Sequence, residues 1–137
     1  MSEAQELAKT LNKKGRGPLA DRMGINLLEA SPHRVVATMP VEGNTQPYGL
    51  LHGGANAVLV ETLGSLAAAL HGGPKKQALG LNINVTHHKS ATSGVVTGVA
   101  TPIRLGKTIA AIEVVITNEA GERVATGQLT CLLRDWR

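Results

Sequence analysis

Polar and apolar positions follow two different periods along this chain, separated by a long run that has neither. The run HGGANAVLVETLGSLAAAL is apolar on almost every side and rich in alanine and leucine, which predicts a buried helix of roughly five turns. Gly53 and Gly54 stand at its start, and Gly72, Gly73 and Pro74 forbid continuation beyond about His71. Before it, GINLLEA and HRVVATMP read as two short strands divided by Ser31 and Pro32, and GNTQPYG reads as a loop leading into the helix. After it come four strand-like stretches. In LNINVTHH, Leu81, Ile83 and Val85 face one way and Asn82, Asn84 and Thr86 the other. GVVTGVATPIR and KTIAAIEVVIT are rich in β-branched residues, and NEAGE forms a hairpin connection from the latter to RVATGQLTCLL. Residues 2–11 predict a short amphipathic helix with Ser2 as cap and Leu7 and Leu11 on one side, ended by the breaker KKGRGP.

The order is therefore two strands, one long helix and four strands. A helix apolar almost all round needs more cover than one flat sheet face supplies. The economical solution is an α+β fold in which a curled antiparallel sheet wraps around one long central helix. Residues 1–23 form an N-terminal accessory segment, and 24–137 the domain proper. With 137 residues, 42% of them apolar, the chain makes one domain with material for a sizeable core. Aromatics are nearly absent, with Tyr48, Trp136 and no phenylalanine, so Val, Ile, Leu and Ala must build that core in thin, closely packed layers.

Charge narrows the partners. A formal charge of +4 implies anionic ligands, but the cations are scattered and almost no aromatic is available to stack bases, which disfavours nucleic acid. Glu61 is the only charge between Gly43 and Gly73, yet Pro47, His52 and repeated glycines interrupt the run, so a soluble core helix is expected and not a membrane span. The N-terminus MSEAQELAKTLNKK carries charges where an export signal needs an apolar stretch, which makes the cytoplasm the expected compartment. The single cysteine, Cys131, excludes an internal disulfide and a thiolate metal cluster, and its context QLTCLL suggests an inert buried thiol. His87 and His88 are adjacent on a strand and point to opposite faces, so they make no two-histidine clamp and no metal is expected. Phosphate-binding glycine loops and nucleophile-elbow serines are absent from the sequence.

Between Glu42 and Glu113 the chain carries one carboxylate, Glu61, inside the apolar run. Taking an unpaired carboxylate out of water costs several kcal/mol, so its presence there points to chemistry. Ser65, four residues on, shares its face, and the small neighbours Ala57 and Ala68 leave a polar niche. In such a niche the acid can serve as general base or as nucleophile on an acyl carbon, with Ser65 orienting it or a water. The plainer alternatives are a structural hydrogen bond or a subunit ion pair for Glu61, and a bond from Ser65 to its own backbone. At the helix start the two glycines clear side chains from the free N–H groups and the positive end of the dipole, where an oxyanion could dock, although such a pair is also a common turn former. His52, just before the helix, could cap it, orient a neighbour or contact a ligand.

Three stretches, QPYGLLHGGANAVLVETLGS, GLNINVTHHKSA and PIRLGKT, resemble the hotdog-fold acyl-CoA thioesterases, and most closely the PaaI and 4-hydroxybenzoyl-CoA thioesterase type that uses a glutamate on the central helix. The resemblance runs from about Gly24 to Leu133. It implies the hotdog fold and hydrolysis of an aryl- or alkyl-CoA thioester to free acid and CoA, without metal or redox cofactor. By position it implies that Glu61 is the catalytic carboxylate, that the Gly53 N–H polarises the thioester carbonyl, and that Gln46 assists at the carbonyl or the water. His52 would help to position the thioester, and Ser65 matches the family's helix hydroxyl. The resemblance further implies a homodimer, paired into a homotetramer, in which Gln46 and Gly53 face Glu61 and Ser65 of the partner subunit. His87, Lys89 and Ser90, with Arg104, Lys107 and Thr108, match positions that hold pantetheine and nucleotide. Lys89 stands where the family often has arginine, which keeps the cation but loses the bidentate fork. The alternatives are a hotdog hydratase or dehydratase, and a non-catalytic acyl-CoA binding or sensing module, which would need the fold and the basic patch but not Glu61. The acyl group is not readable.

Overall fold

The computed structural model describes residues 1–136. Two short helices, α1 (Glu3–Lys13) and α2 (Pro18–Met23), precede strands β1 (Asn26–Ser31) and β2 (Arg34–Pro40). The long helix α3 (Gly53–Gly72) follows, then β3 (Lys76–His87), β4 (Val95–Leu105), β5 (Ile109–Thr117) and β6 (Arg123–Asp135). All strand pairs are antiparallel, in one six-stranded sheet of order β1-β2-β4-β5-β6-β3, and the sheet curls about α3. This is the hotdog arrangement. One element and one element boundary depart from the sequence expectation. Helix α2, which the sequence reading does not anticipate, starts at Pro18, the last residue of the breaker KKGRGP: Pro18 supplies a preset first helical residue, and Gly24 closes the helix at φ 75°. Strand β3 starts at Lys76, ahead of any alternation, because Lys76, Gln77, Ala78 and Leu79 find ladder partners on β6 out to Asp135.

Small residues set the distance between helix and sheet. A Cβ on Gly127 would lie 2.5 Å from Val60 Cγ2, and one on Gly64 would lie 2.7 Å from Leu129 Cδ2. Leu59, Val60, Leu63, Ala67 and Ala68 are consequently sealed against the strands. The enclosure is one-sided, unlike the all-round burial expected of α3. Glu61 is exposed, and Ser65 and Leu66 on the same side are half-buried. Of the described helices, α3 alone is long and apolar enough to cross a membrane, and here the strands pack around it as a core helix.

The two sheet edges differ. On β1, the Asn12 side chain of α1 donates to Leu27 O and accepts from Leu27 N–H, both at 2.8 Å, which covers part of that edge. On β3, no described strand pairs with the outer edge, where Leu81 is 59% and Ile83 40% exposed.

Because Val60 is β-branched and stiff, it cannot swing away from an added methyl. Gly127→Ala is therefore expected to destabilise the fold by about 1–3 kcal/mol, the usual cost of overpacking a close contact. Urea unfolding should show a lower midpoint with an unchanged slope.

Candidate active site

The loop between β2 and α3 prepares the start of the helix. Gln46 Oε1 accepts from the backbone N–H groups of Tyr48 and Leu50, which orients the amide and leaves its Nε2 hydrogens available. His52 is the N-cap of α3, and its Nδ1 accepts from Gly54 N at 2.8 Å. That bond consumes the second N–H of the helix. The first, on Gly53, has no acceptor among the described residues, so one donor remains at the positive end of the dipole.

Around this donor lies a cleft of about 340 Å³, lined by Gln46, Gly53, Asn56, His87, Lys89 and Ser90 among others. A Cβ on Gly53 would stand 2.9 Å from His87 Nε2, so only glycine allows the imidazole to approach so closely. Asn56 Nδ2 lies 3.3 Å from His87 Nδ1; with the amide donating, the imidazole proton sits on Nε2, on the Gly53 side. Asn56 was not singled out from sequence. It is 3% exposed and its Oδ1 has no partner among the described residues, an unusual state for a buried amide. His88 turns to the other face, where its Nε2 meets Thr126 Oγ1 at 3.0 Å.

Glu61 and Ser65 line a second cleft, also of about 340 Å³, further along α3. A Cβ on Gly80 of β3 would lie 2.8 Å from Glu61 Oε1, so the missing side chain at Gly80 is what gives the carboxylate its place. Gly80 pairs with Cys131 of β6, which lies fully buried beneath the same spot. Burial pushes the Cys131 thiol above its ordinary pKa; a bond from Ser65 works against that shift and the Glu61 charge adds to it. Glu61, Ser65, Gly80 and Cys131 thus form one cluster beside the uncovered β3 edge.

Within one chain the two clefts are apart. Gly53 and Glu61 are eight residues apart on α3, about 12 Å at the helical rise. The cationic residues are divided as well. Lys89 N bonds Val124 O at the β5–β6 end of the sheet, and its Nζ lies 3.6 Å from Glu122. Asn118 holds the Glu122 carboxyl below its usual range and Lys89 adds to the effect. Arg104, Lys107 and Thr108 stand at the β4–β5 turn, the length of β5 away, about 25 Å at the strand rise. At that end His71 Nε2 donates to Gly106 O at 2.7 Å and ties down the end of α3. The structure therefore gathers Gln46, His52, Gly53, His87, Lys89 and Ser90 at one end, sets Glu61 and Ser65 midway, and leaves Arg104, Lys107 and Thr108 at the far end. Among the described residues no three His, Cys, Asp or Glu side chains cluster as metal ligands would.

Residues 48–125 match the model of the thioesterase superfamily. The chain is similar to the proofreading thioesterase EntH of Cronobacter turicensis, with 40% identity over 89% of this chain and 90% of that one. Among solved structures it resembles a thioesterase of Pseudomonas aeruginosa at TM-score 0.89 and 32% identity, covering 94% of each chain. A thioesterase of Haemophilus influenzae matches at TM-score 0.86 and 32% identity over 98% of this chain and 92% of that one.

The buried position of Cys131 has a direct consequence for its reactivity, because the thiolate is the reactive form and access is needed as well. The native protein is expected to leave Ellman's reagent unreacted at pH 8, and to release a single thiol per chain once unfolded in guanidinium. Rapid labelling of the native protein would show that the cluster opens to solvent.

Proposed function

The chain belongs to the thioesterase superfamily and is a thioester hydrolase, and from that premise we propose that it cleaves an acyl-CoA thioester to free acid and CoA in a site shared between two subunits. The observation that carries this reading is the separation of the Gly53 N–H, which has no acceptor among the described residues, from the Glu61 carboxylate by about 12 Å along a single helix. No single carbonyl group spans that gap. A second copy docked on the bare β3 edge would bring its own Glu61, held beside Gly80 of that same strand, toward the cleft at Gly53.

In the proposed reaction the thioester oxygen accepts from the Gly53 N–H, with the Gln46 amide as a second donor. Glu61 of the partner subunit either takes a proton from water as the hydroxide adds to the carbonyl carbon, or attacks that carbon itself and is released by water. In both routes the C–S bond breaks and the CoA thiolate leaves, and it ends with the proton that the attacking water gives up. Ser65 orients the acid or the water, and His52, by capping Gly54, keeps Gly53 as the donor. His87, Lys89 and Ser90 border the same cleft and are placed to hold pantetheine and phosphate, with Arg104, Lys107 and Thr108 supplied from the far end of the second copy. Lys89 is paired with Glu122 across a half-exposed 3.6 Å gap, a contact weak enough for a phosphate to replace.

Glu61→Gln is expected to bind acyl-CoA and turn over almost none of it. Gly53→Pro removes the donor at a position that suits proline, after His52 at ψ 133°, but its Cβ also crowds His87, so it is compared with Gly53→Ala, which adds the same Cβ and keeps the N–H. Turnover should fall by about 10²–10³ from Gly53→Ala to Gly53→Pro, the usual loss for one oxyanion donor. Mixing the two inactive proteins should restore part of the activity, because a mixed dimer contains one site with both groups intact. Subunit exchange without recovery would place each site within one chain.

A further inference from the structure

The cleft beside Glu61 has a wall that the reaction above does not use. Leu11, Gly15 and Arg16 from the segment ahead of the sheet close one side, and Ile25, Leu27 and Leu66 make most of the remaining surface apolar. Arg16 is the only cation among the described residues that line the cleft. Gly15 at φ 131° and Gly17 at φ 89° flank it in a conformation that side chains disfavour, and the turn they form carries Arg16 against the cleft. Its guanidinium is fixed there: Nη1 donates to Ile25 O, and Nη2 pairs with Asp21 Oδ1 at 2.7 Å. The Arg16 side chain is 19% exposed and that of Asp21 58%, so a mostly buried cation is balanced by a mostly hydrated acid. Nε is enclosed and has no acceptor among the described residues, so what Arg16 can offer the cleft is the Nη hydrogens not spent on Ile25 and Asp21. A hydrocarbon placed beside these donors takes away their water and replaces it with nothing, whereas an oxygen accepts from them.

We propose that Arg16 makes this cleft a pocket for a short acyl group carrying an oxygen acceptor, carboxylate or hydroxyl, at its distal end, in preference to a hydrocarbon of the same length. The inference rests on the reading of the Glu61 cleft as the place of the acyl group. Thr62, Ser65 and Glu61 on α3 form the reacting side of the cleft, and Arg16 with its apolar neighbours forms the side that meets the substituent. A guanidinium presents its N–H groups in a fixed plane, so a carboxylate or hydroxyl reaching it is held in one orientation. The segment before the sheet thereby acts as a specificity wall.

The test compares adipoyl-CoA, 6-hydroxyhexanoyl-CoA and hexanoyl-CoA, which share one chain length, by kcat/KM, and their non-hydrolysable thioether analogues by affinity. Wild-type protein is expected to favour at least one oxygen-bearing substrate over hexanoyl-CoA by about tenfold or more, since a site built to hydrogen-bond discriminates strongly against an analogue lacking the group. Preference for adipoyl-CoA alone assigns the carboxylate, and preference for both assigns hydrogen bonding to either group. In Arg16→Met and Arg16→Gln the ratio should fall to about twofold or less. A flat ratio in the wild type, or a ratio that survives in a folded Arg16 variant, overturns the proposal. Should both variants fail to fold, the wild-type ratios and analogue affinities still decide. If no acyl-CoA is hydrolysed while the analogue affinities differ as stated, the proposed reaction fails and the pocket assignment stands.

Discussion

Everything in this molecule depends on how closely one helix lies on one curled sheet. Val60 against Gly127 and Leu129 against Gly64 leave no room for another methyl, so α3 is pinned at the depth that a core without phenylalanine can fill. Leu59, Leu63 and Ala67 occupy the concave side completely. The sheet ends before it can close over the far side of the helix, and it is there that Glu61 and Ser65 stand. Gly80 continues the same device at the rim, where an absent side chain makes space for a carboxylate instead of a hydrocarbon.

The treatment of the sheet edges follows from the same geometry. An open sheet offers unpaired N–H and C=O groups on both sides, and a protein must cover them or use them. Asn12 imitates a neighbouring strand on β1 by bonding both backbone groups of Leu27. The long β3 edge has no such cover and carries Leu81 and Ile83 into solvent. The uncovered edge lies beside the Glu61 cluster, so the surface most in need of a partner borders the cleft that Glu61 and Ser65 line.

At the helix start, the cap and the loop decide between them which donors are left free. His52 satisfies Gly54 and leaves Gly53 free, while the loop backbone holds the Gln46 oxygen and frees its nitrogen. A serine or aspartate cap would satisfy the helix equally well, but the imidazole adds bulk beside the cleft. Asn56 and His87 complete this end from the buried face of α3 and from β3.

Local chemistry made much of this legible without coordinates. The apolar run bounded by Gly53 and by Gly72–Pro74, the alternation of Asn82, Asn84 and Thr86 with Ile83 and Val85, and the solitary Glu61 all express preferences that a residue carries with its near neighbours. The element order, the wrapped helix and the family resemblance follow from them. What remained hidden depends on contacts between distant segments. Lys76–Gly80 becomes strand only because β6 is there to pair with it, and Glu61 is exposed because the sheet stops short, not because the helix is polar. Asn56 looks like any helical asparagine until His87 is folded onto it, and Arg16 looks like a loop cation until the two flanking glycines carry it to the cleft of Glu61. Period and composition are properties of a segment, whereas burial and proximity belong to the whole chain, and only the tertiary structure decides them.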